Sequence, residues 1–346
     1  MIRRVPFLFA AMPLFAAGPC TEGAEALGRR DLPAAERALR TCTAQPGAPL
    51  DAFLMLCGVY QMQGNAAGLY EAAVAGIKHY PADKRFYLTA GAHAGRSQMF
   101  ADAVNILEPA VRRWPEDGKL ASLLESAHLG EGMTRLDAGD NDAALTHLER
   151  AVALVPNDVE ALLNLGRALH NLNRGEEALE VFDRTLATDP QAPLAQFHRG
   201  MAFQALGRFE EAITAIGAEL AVNPEHAPAR LIRGLALMGR GDAQAALPDL
   251  RASVEAMPAD ATAPFALARC LMRLDKSPEA EPHLLKAIEL SPRDPAPRNA
   301  LVRVLIATGR RDEAAKLAAE AAVLAREERS AAPGEIKFQS YRRPAK

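Results

Sequence analysis

Aromatic residues make up only 5% of this 346-residue chain, with a single tryptophan. Barrels and sandwiches draw on aromatic and β-branched residues, so that scarcity speaks against them. Cysteine is scarce too: Cys20, Cys42, Cys57 and Cys270, with no Cys-x-x-Cys pair. Four scattered cysteines exclude a disulfide-held scaffold and the usual zinc or haem attachment motifs. Neither sign of charge dominates, since 40 Lys plus Arg stand against 43 Asp plus Glu for a net charge of -3. A dedicated nucleic-acid binder shows a basic excess, so that class is set aside. No apolar run in the sequence reaches the roughly 18 residues of a membrane span. What is abundant is Ala, Leu, Glu and Arg, a helix-forming composition. The length alone would suggest about two globular domains.

The first residues read as an address. Met1-Ile2-Arg3-Arg4 is basic, Val5 to Ala17 is uncharged, and Gly18-Pro19-Cys20 follows. A basic start, a short apolar stretch and small residues predict a secretory signal peptide over 1–18. A lipoprotein is excluded because Pro19 stands where a small residue should precede Cys20. The expected location is periplasmic or exported; the alternative is a cytoplasmic protein whose first residues form a packed helix. In an oxidising compartment Cys20 and Cys42 would flank and bridge one helical hairpin, with Cys57 competing for Cys42. Cys270 lies in an apolar stretch and reads as a small core residue.

A ruler of 34 residues runs down the chain. Pro156, Pro190, Pro224, Pro258 and Pro292 are equally spaced, as are Ala144, Ala178, Ala212, Ala246, Ala280 and Ala314. Gly132, Gly166, Gly200 and Gly234 keep the same step, then Ala268 and Val302. Within 159–192, Leu162, Leu165, Gly166 and Leu169 form the apolar face of one helix. Asn173-Arg174-Gly175-Glu176 makes a turn, and Ala178, Leu179, Phe182 and Leu186 face back from a second helix. Pro190 stops that helix. One such hairpin cannot bury its apolar face alone, so neighbours must stack.

These units resemble tetratricopeptide (TPR) repeats, 34-residue helix-turn-helix modules. Glu160-Ala161-Leu162-Leu163-Asn164-Leu165-Gly166 with Ala178 and Pro190 carries the likeness, as does Arg199-Gly200-Met201-Ala202-Phe203 with Gly207, Ala212 and Pro224. The sequence departs from the family at its aromatic positions, which are aliphatic at Leu162, Leu169, Leu237 and Leu271. Glu219 takes a normally small position, which predicts looser packing there. The resemblance implies an all-α fold, a right-handed α-solenoid of about eight to nine units. Residues 19–49 read as a degenerate first unit, 50–117 as two TPR-like units and 125–328 as six. The step from Pro115 to Pro156 is 41, and its seven extra residues are about two helical turns. An insertion at 118–124 is therefore expected to lengthen a helix around Lys119 to Leu136 without a domain break, giving one stacked array. The last helix should cap the stack, with 329–346 as a tail carrying Ile336, Phe338 and Tyr341.

No catalytic constellation is present. His79, His93, His128, His147, His170, His198, His226 and His283 form no His-x-x-x-His pair, so each is read as a solvated or groove histidine without metal. Phosphate loops and nucleophile elbows are missing. Glu176-Glu177 and Glu210-Glu211 sit where they complement a helix dipole, and Arg240-Gly241-Asp242 falls on an inter-helix turn. The chain reads as a non-enzyme without cofactor. Stacked units bind along their concave face. Stepping by 34 along it gives Leu129, Leu163, Phe197, Leu231 and Phe265, and one turn on Met133, Arg167, Met201, Leu235, Arg269 and Arg303. With Met272 these form an apolar, Arg-bordered groove suited to a peptide or amphipathic helix. The expected role is a scaffold or assembly factor for a protein or peptide partner, including one in a membrane-bound complex, with no nucleic acid and no metal. The alternative is a cytoplasmic regulatory adaptor, or the regulatory subunit of an enzyme encoded elsewhere.

Overall fold

The computed structural model describes residues 18–330, all helix and turn. The leader expected at 1–18 and the tail expected at 329–346 lie outside the described residues, apart from Gly18 and the last turn of the final helix. The described helices fall into two compact units, one through Asp158 and one from Val159, with Gly139–Asp142 grouped with the second. The repeat pattern predicts stacked hairpins, and each of the two units is built of them. In a stack each hairpin touches only its neighbours, so compactness is local and a long array need not form one body.

The first unit holds α1 (Pro19–Gly28), α2 (Leu32–Thr43), α3 (Leu50–Gln63), α4 (Ala66–His79), α5 (Lys84–Arg96), α6 (Phe100–Arg113), α7 (Gly118–Ala138) and α8 (Asn141–Leu154). The second holds α9 (Val159–Asn171), α10 (Gly175–Thr188), α11 (Ala195–Ala205), α12 (Phe209–Val222) and α13 (Ala227–Arg240). It continues with α14 (Ala243–Ala256), α15 (Thr262–Arg273), α16 (Ser277–Leu290), α17 (Pro295–Ala307) and α18 (Arg311–Ser330). At 21 residues, α7 exceeds its 13-residue counterparts α5 and α9.

The ruler has a steric cause. At Gly132 and Gly234 an added Cβ would sit 2.7 Å from Leu148 Cγ and 2.6 Å from Leu250 Cδ2, closer than carbon atoms pack. Each glycine thus lets the second helix of its hairpin lie against the backbone of the first, opposite a large residue sixteen positions on. The same pairing joins Gly91 to Leu107, Gly166 to Phe182 and Gly200 to Ile216. It also joins Gly23 to Leu39, so the first hairpin is built like the rest although its sequence markers are worn. Alanines at the second helix complete the close approach: Ala35, Ala103, Ala144, Ala178, Ala212, Ala246 and Ala280 are fully buried.

A second ruler was not read in the sequence. The turn inside each hairpin contains one left-handed residue, and these are Arg30, Gly64, Gln98, Gly139, Asn173, Gly207, Gly241, Asp275 and Gly309. They keep the 34-residue step except for the one step of 41. Such a residue ends a helix by turning its backbone back on the last carbonyls; Asn65 N–H, for instance, donates to Tyr60 O at 2.9 Å. Glycine fills only five of the nine, which hid the pattern. Arg240-Gly241-Asp242 lies at one of these turns, with Gly241 left-handed and Asp242 accepting from Ala245 N–H as the cap of α14.

In the first unit Cys20 and Cys42 form a disulfide, Cα atoms 5.0 Å apart, joining α1 to α2. Cys57 is a buried free thiol that burial pushes up to about 12. Cys270 is buried as well and donates to Ala243 O. The looseness expected at Glu219 is not found. Its carboxylate is buried and meets His226 Nδ1 at 2.9 Å, tying α12 to the start of α13.

Candidate functional site

The odd-numbered helices of the second unit pack against each other as well as against their even partners: α9 meets α11, α11 meets α13, α13 meets α15 and α15 meets α17. Among the described residues the even helices of this unit show no such pairing. The odd layer is therefore the closer-spaced one, the inner side of a curved stack, where solenoids bind.

Most of the groove residues expected in this unit sit on that inner layer. Leu163, Arg167, Met201, Leu235, Phe265 and Met272 are half-buried, and Arg269 is exposed. Two need correction. Phe197 is 4% exposed and Leu231 1%, so they belong to the core and not to a binding surface. Where odd helices touch, a side chain aimed at the neighbour is covered by it. The Phe197 ring lies 4.7 Å from that of His226 at the entry to α13, and packs with Ile216, Leu220 and Ile232. Leu129 and Met133 are half-buried on α7, in the first unit.

The arginines are held differently. Arg167 Nη1 donates to Asn164 Oδ1 at 2.7 Å, and Asn164 Nδ2 donates to Glu160 O at 2.8 Å. Arg269 stands over the Phe265 ring, 5.7 Å from its centroid, an attraction between cation and aromatic face. Arg273 donates to Met238 O. Two surface residues were missed: Asn299 and Ile306 on α17, one repeat step beyond Phe265 and Met272. Ile306 is 53% exposed, large and apolar in the open, and the 34-residue step alone could have found it.

Histidines line this layer and are not solvated as a class. His198 lies between the rings of Phe182 and Phe197. Burial, then Arg167, His170 and His226, lower it to about 3, and burial lowers His170 too. In the first unit His128 is 3% exposed. Its Nδ1 meets His147 Nδ1 at 3.0 Å, one ring donating and the other accepting. Burial, with the help of His147, lowers His128 to about 4. Among the described residues no group of three or more His, Cys, Asp or Glu side chains could hold a metal, and no helix is long and apolar enough to cross a membrane.

No protein of curated function matches this sequence. Among solved structures it is similar to MamA from Desulfovibrio magneticus RS-1, at 25% identity over 48% of this chain and 94% of that one, TM-score 0.44. It is also similar to a thermophilic TPR protein of Thermus thermophilus, at 28% identity over 53% and 99%, TM-score 0.45. A chain of the Cut9–Hcn1 hetero-tetramer of APC/C aligns over 85% of this chain and 57% of its own, at 15% identity and TM-score 0.54; that likeness concerns the fold alone. Residues 129–193, 197–264 and 233–295 match one tetratricopeptide-repeat model and 295–320 a second. With stacked hairpins, close-approach glycines and turn residues on one step, the chain belongs to the tetratricopeptide-repeat family.

Proposed function

We propose that the inner layer of the second unit holds a peptide or amphipathic helix of a partner protein, and that the chain serves as an assembly factor. The coarser role follows from the family: TPR proteins are protein–protein interaction scaffolds, typically non-catalytic. The observation that carries the finer reading is the row Leu163, Met201, Leu235 and Met272, half-buried on touching helices, with Ile306 open at its end. Apolar side chains left partly open to water on successive inner helices suit a ligand that covers them in turn. Export is part of the proposal, supported by the basic-apolar start of the sequence and by the Cys20–Cys42 bridge, since disulfides persist in oxidising compartments. An association with a membrane-bound complex belongs to the same reading.

The test is affinity capture from native membrane and soluble fractions, with the intact mass of the bait read in the same preparation. The Met201→Gln/Met272→Gln variant keeps side-chain length at half-buried sites and should melt within a few degrees of the parent. It should lose the partner that the parent retains, and the bait should be lighter by about 18 residues. A partner retained by both proteins would move binding away from this layer. A full-length mass would remove export and favour the cytoplasmic adaptor.

A further inference from the structure

Charge in the second unit is sorted by layer. The odd helices α9, α11, α13, α15 and α17 carry nine arginines and one acidic residue, Glu160. The even helices α10, α12, α14 and α16 carry twelve acidic residues against three basic ones. The near-neutral total of the chain conceals this. Several inner-layer arginines answer the outer layer directly: Arg199 meets Asp183 at 2.7 Å, and Arg233 grips Asp249 with two bonds of 2.6 and 2.8 Å. Arg269 and Arg303 do not. Both are exposed, stand one repeat step apart on α15 and α17, and have no acidic side chain within ion-pair distance among the described residues. They border Phe265, Met272 and Ile306.

Resting on the inner-layer reading above, we infer that the ligand of this face is an acidic segment of a partner protein, with apolar side chains interleaved between carboxylates. An arginine fork pairs with a carboxylate through two parallel bonds, strongest where water is partly excluded. Touching helices lie about 10 Å apart and an extended chain advances about 3.3 Å per residue. Arg269 and Arg303 therefore match carboxylates about three residues apart, with apolar anchors between them for Phe265, Met272 and Ile306. The chain's own residues 331–346 do not fit, since they hold Glu335 against Lys337, Arg342, Arg343 and Lys346 and would meet like charge. Single-stranded nucleic acid wants a series of open aromatic platforms; this stretch offers Phe265, and Arg269 already stands over it.

The experiment is selection of a random dodecapeptide library on the full chain, then fluorescence anisotropy of the best peptide, its Glu-to-Gln counterpart and a labelled single-stranded oligonucleotide. The expected peptides carry Asp or Glu about three apart between apolar residues. The Gln counterpart, and the Arg269→Gln/Arg303→Gln protein, should each bind about tenfold more weakly, with unchanged helicity. The peptide-side exchange tests the charge without touching the fold. A neutral or basic consensus overturns the inference. If such peptides are still lost in the Met201→Gln/Met272→Gln protein, the binding face stands and only its charge preference fails; if they are indifferent to both variants, both readings fail. An oligonucleotide that binds more tightly than the best peptide, through the same arginines, also overturns it.

Discussion

At the scale of single residues, the burial of two imidazoles sets a pH response. His198 and His128 are lowered to about 3 and about 4, against about 6.5 in an unfolded chain. Between those values the unfolded state binds the proton and the folded state does not, so stability falls as pH falls. Their contribution is fully present above about 6.5 and is lost at up to about 1.4 kcal/mol per pH unit for each group. Urea unfolding at pH 7 and pH 5 should therefore differ by roughly 2 kcal/mol per histidine, reported by whichever unit holds it. His198→Gln should flatten the dependence in the second unit, and an unchanged slope would show that His198 is open to protons in the fold. Neither histidine could be read this way from the sequence. Each sits in an ordinary amphipathic stretch, and its burial depends on the hairpin packed beside it. Phe197 and Leu231 disappeared from the binding surface for the same reason. Periodicity gives the face of a helix, but how deeply a neighbour covers that face depends on how closely two helices approach.

Among elements, the first hairpin shows how much a worn sequence can hide. Markers that are plain from Gly132 onward fade before Gly91, yet Gly23 still lies against Leu39 and Asp31 caps α2 by accepting from Ala34 N–H. The left-handed residues faded similarly, because Arg30, Gln98, Asn173 and Asp275 take a conformation for which glycine is the usual sign. By contrast, the proline, alanine and glycine steps of the second unit were legible, since each answers a steric demand that few residues meet. The Cys20–Cys42 bridge spans 22 residues and joins α1 to α2. Closing a loop of that size removes unfolded-state freedom worth about 3 kcal/mol. Cys20→Ser/Cys42→Ser should accordingly expose α1 and α2 to early hydrogen exchange or proteolysis while α9 to α18 keep their protection. Equal protection of the first hairpin with and without the bridge would mean that packing of Ala26, Leu27, Ala35 and Leu39 suffices.

For the molecule as a whole, neighbour-only packing makes stability a sum of similar increments and not a single indivisible core. The recurrence of one left-handed residue per hairpin turns this into a statement about chain length. Removing Gly207–Arg240 would join Leu206 to Gly241, placing a left-handed glycine where a left-handed glycine stood, and returning the next helix to an equivalent neighbour. That shortened protein should fold, melting as a helical protein a few degrees below the parent. A deletion of about 32 residues from the same point should not, because the two residues left over are about half a helical turn and the buried face would be turned away from its partner. Failure of both would show that hairpins have become specific to their places. Success of the first would make this chain editable in fixed strides, its reach along a partner lengthened or trimmed by copying or dropping whole turns-to-turns segments.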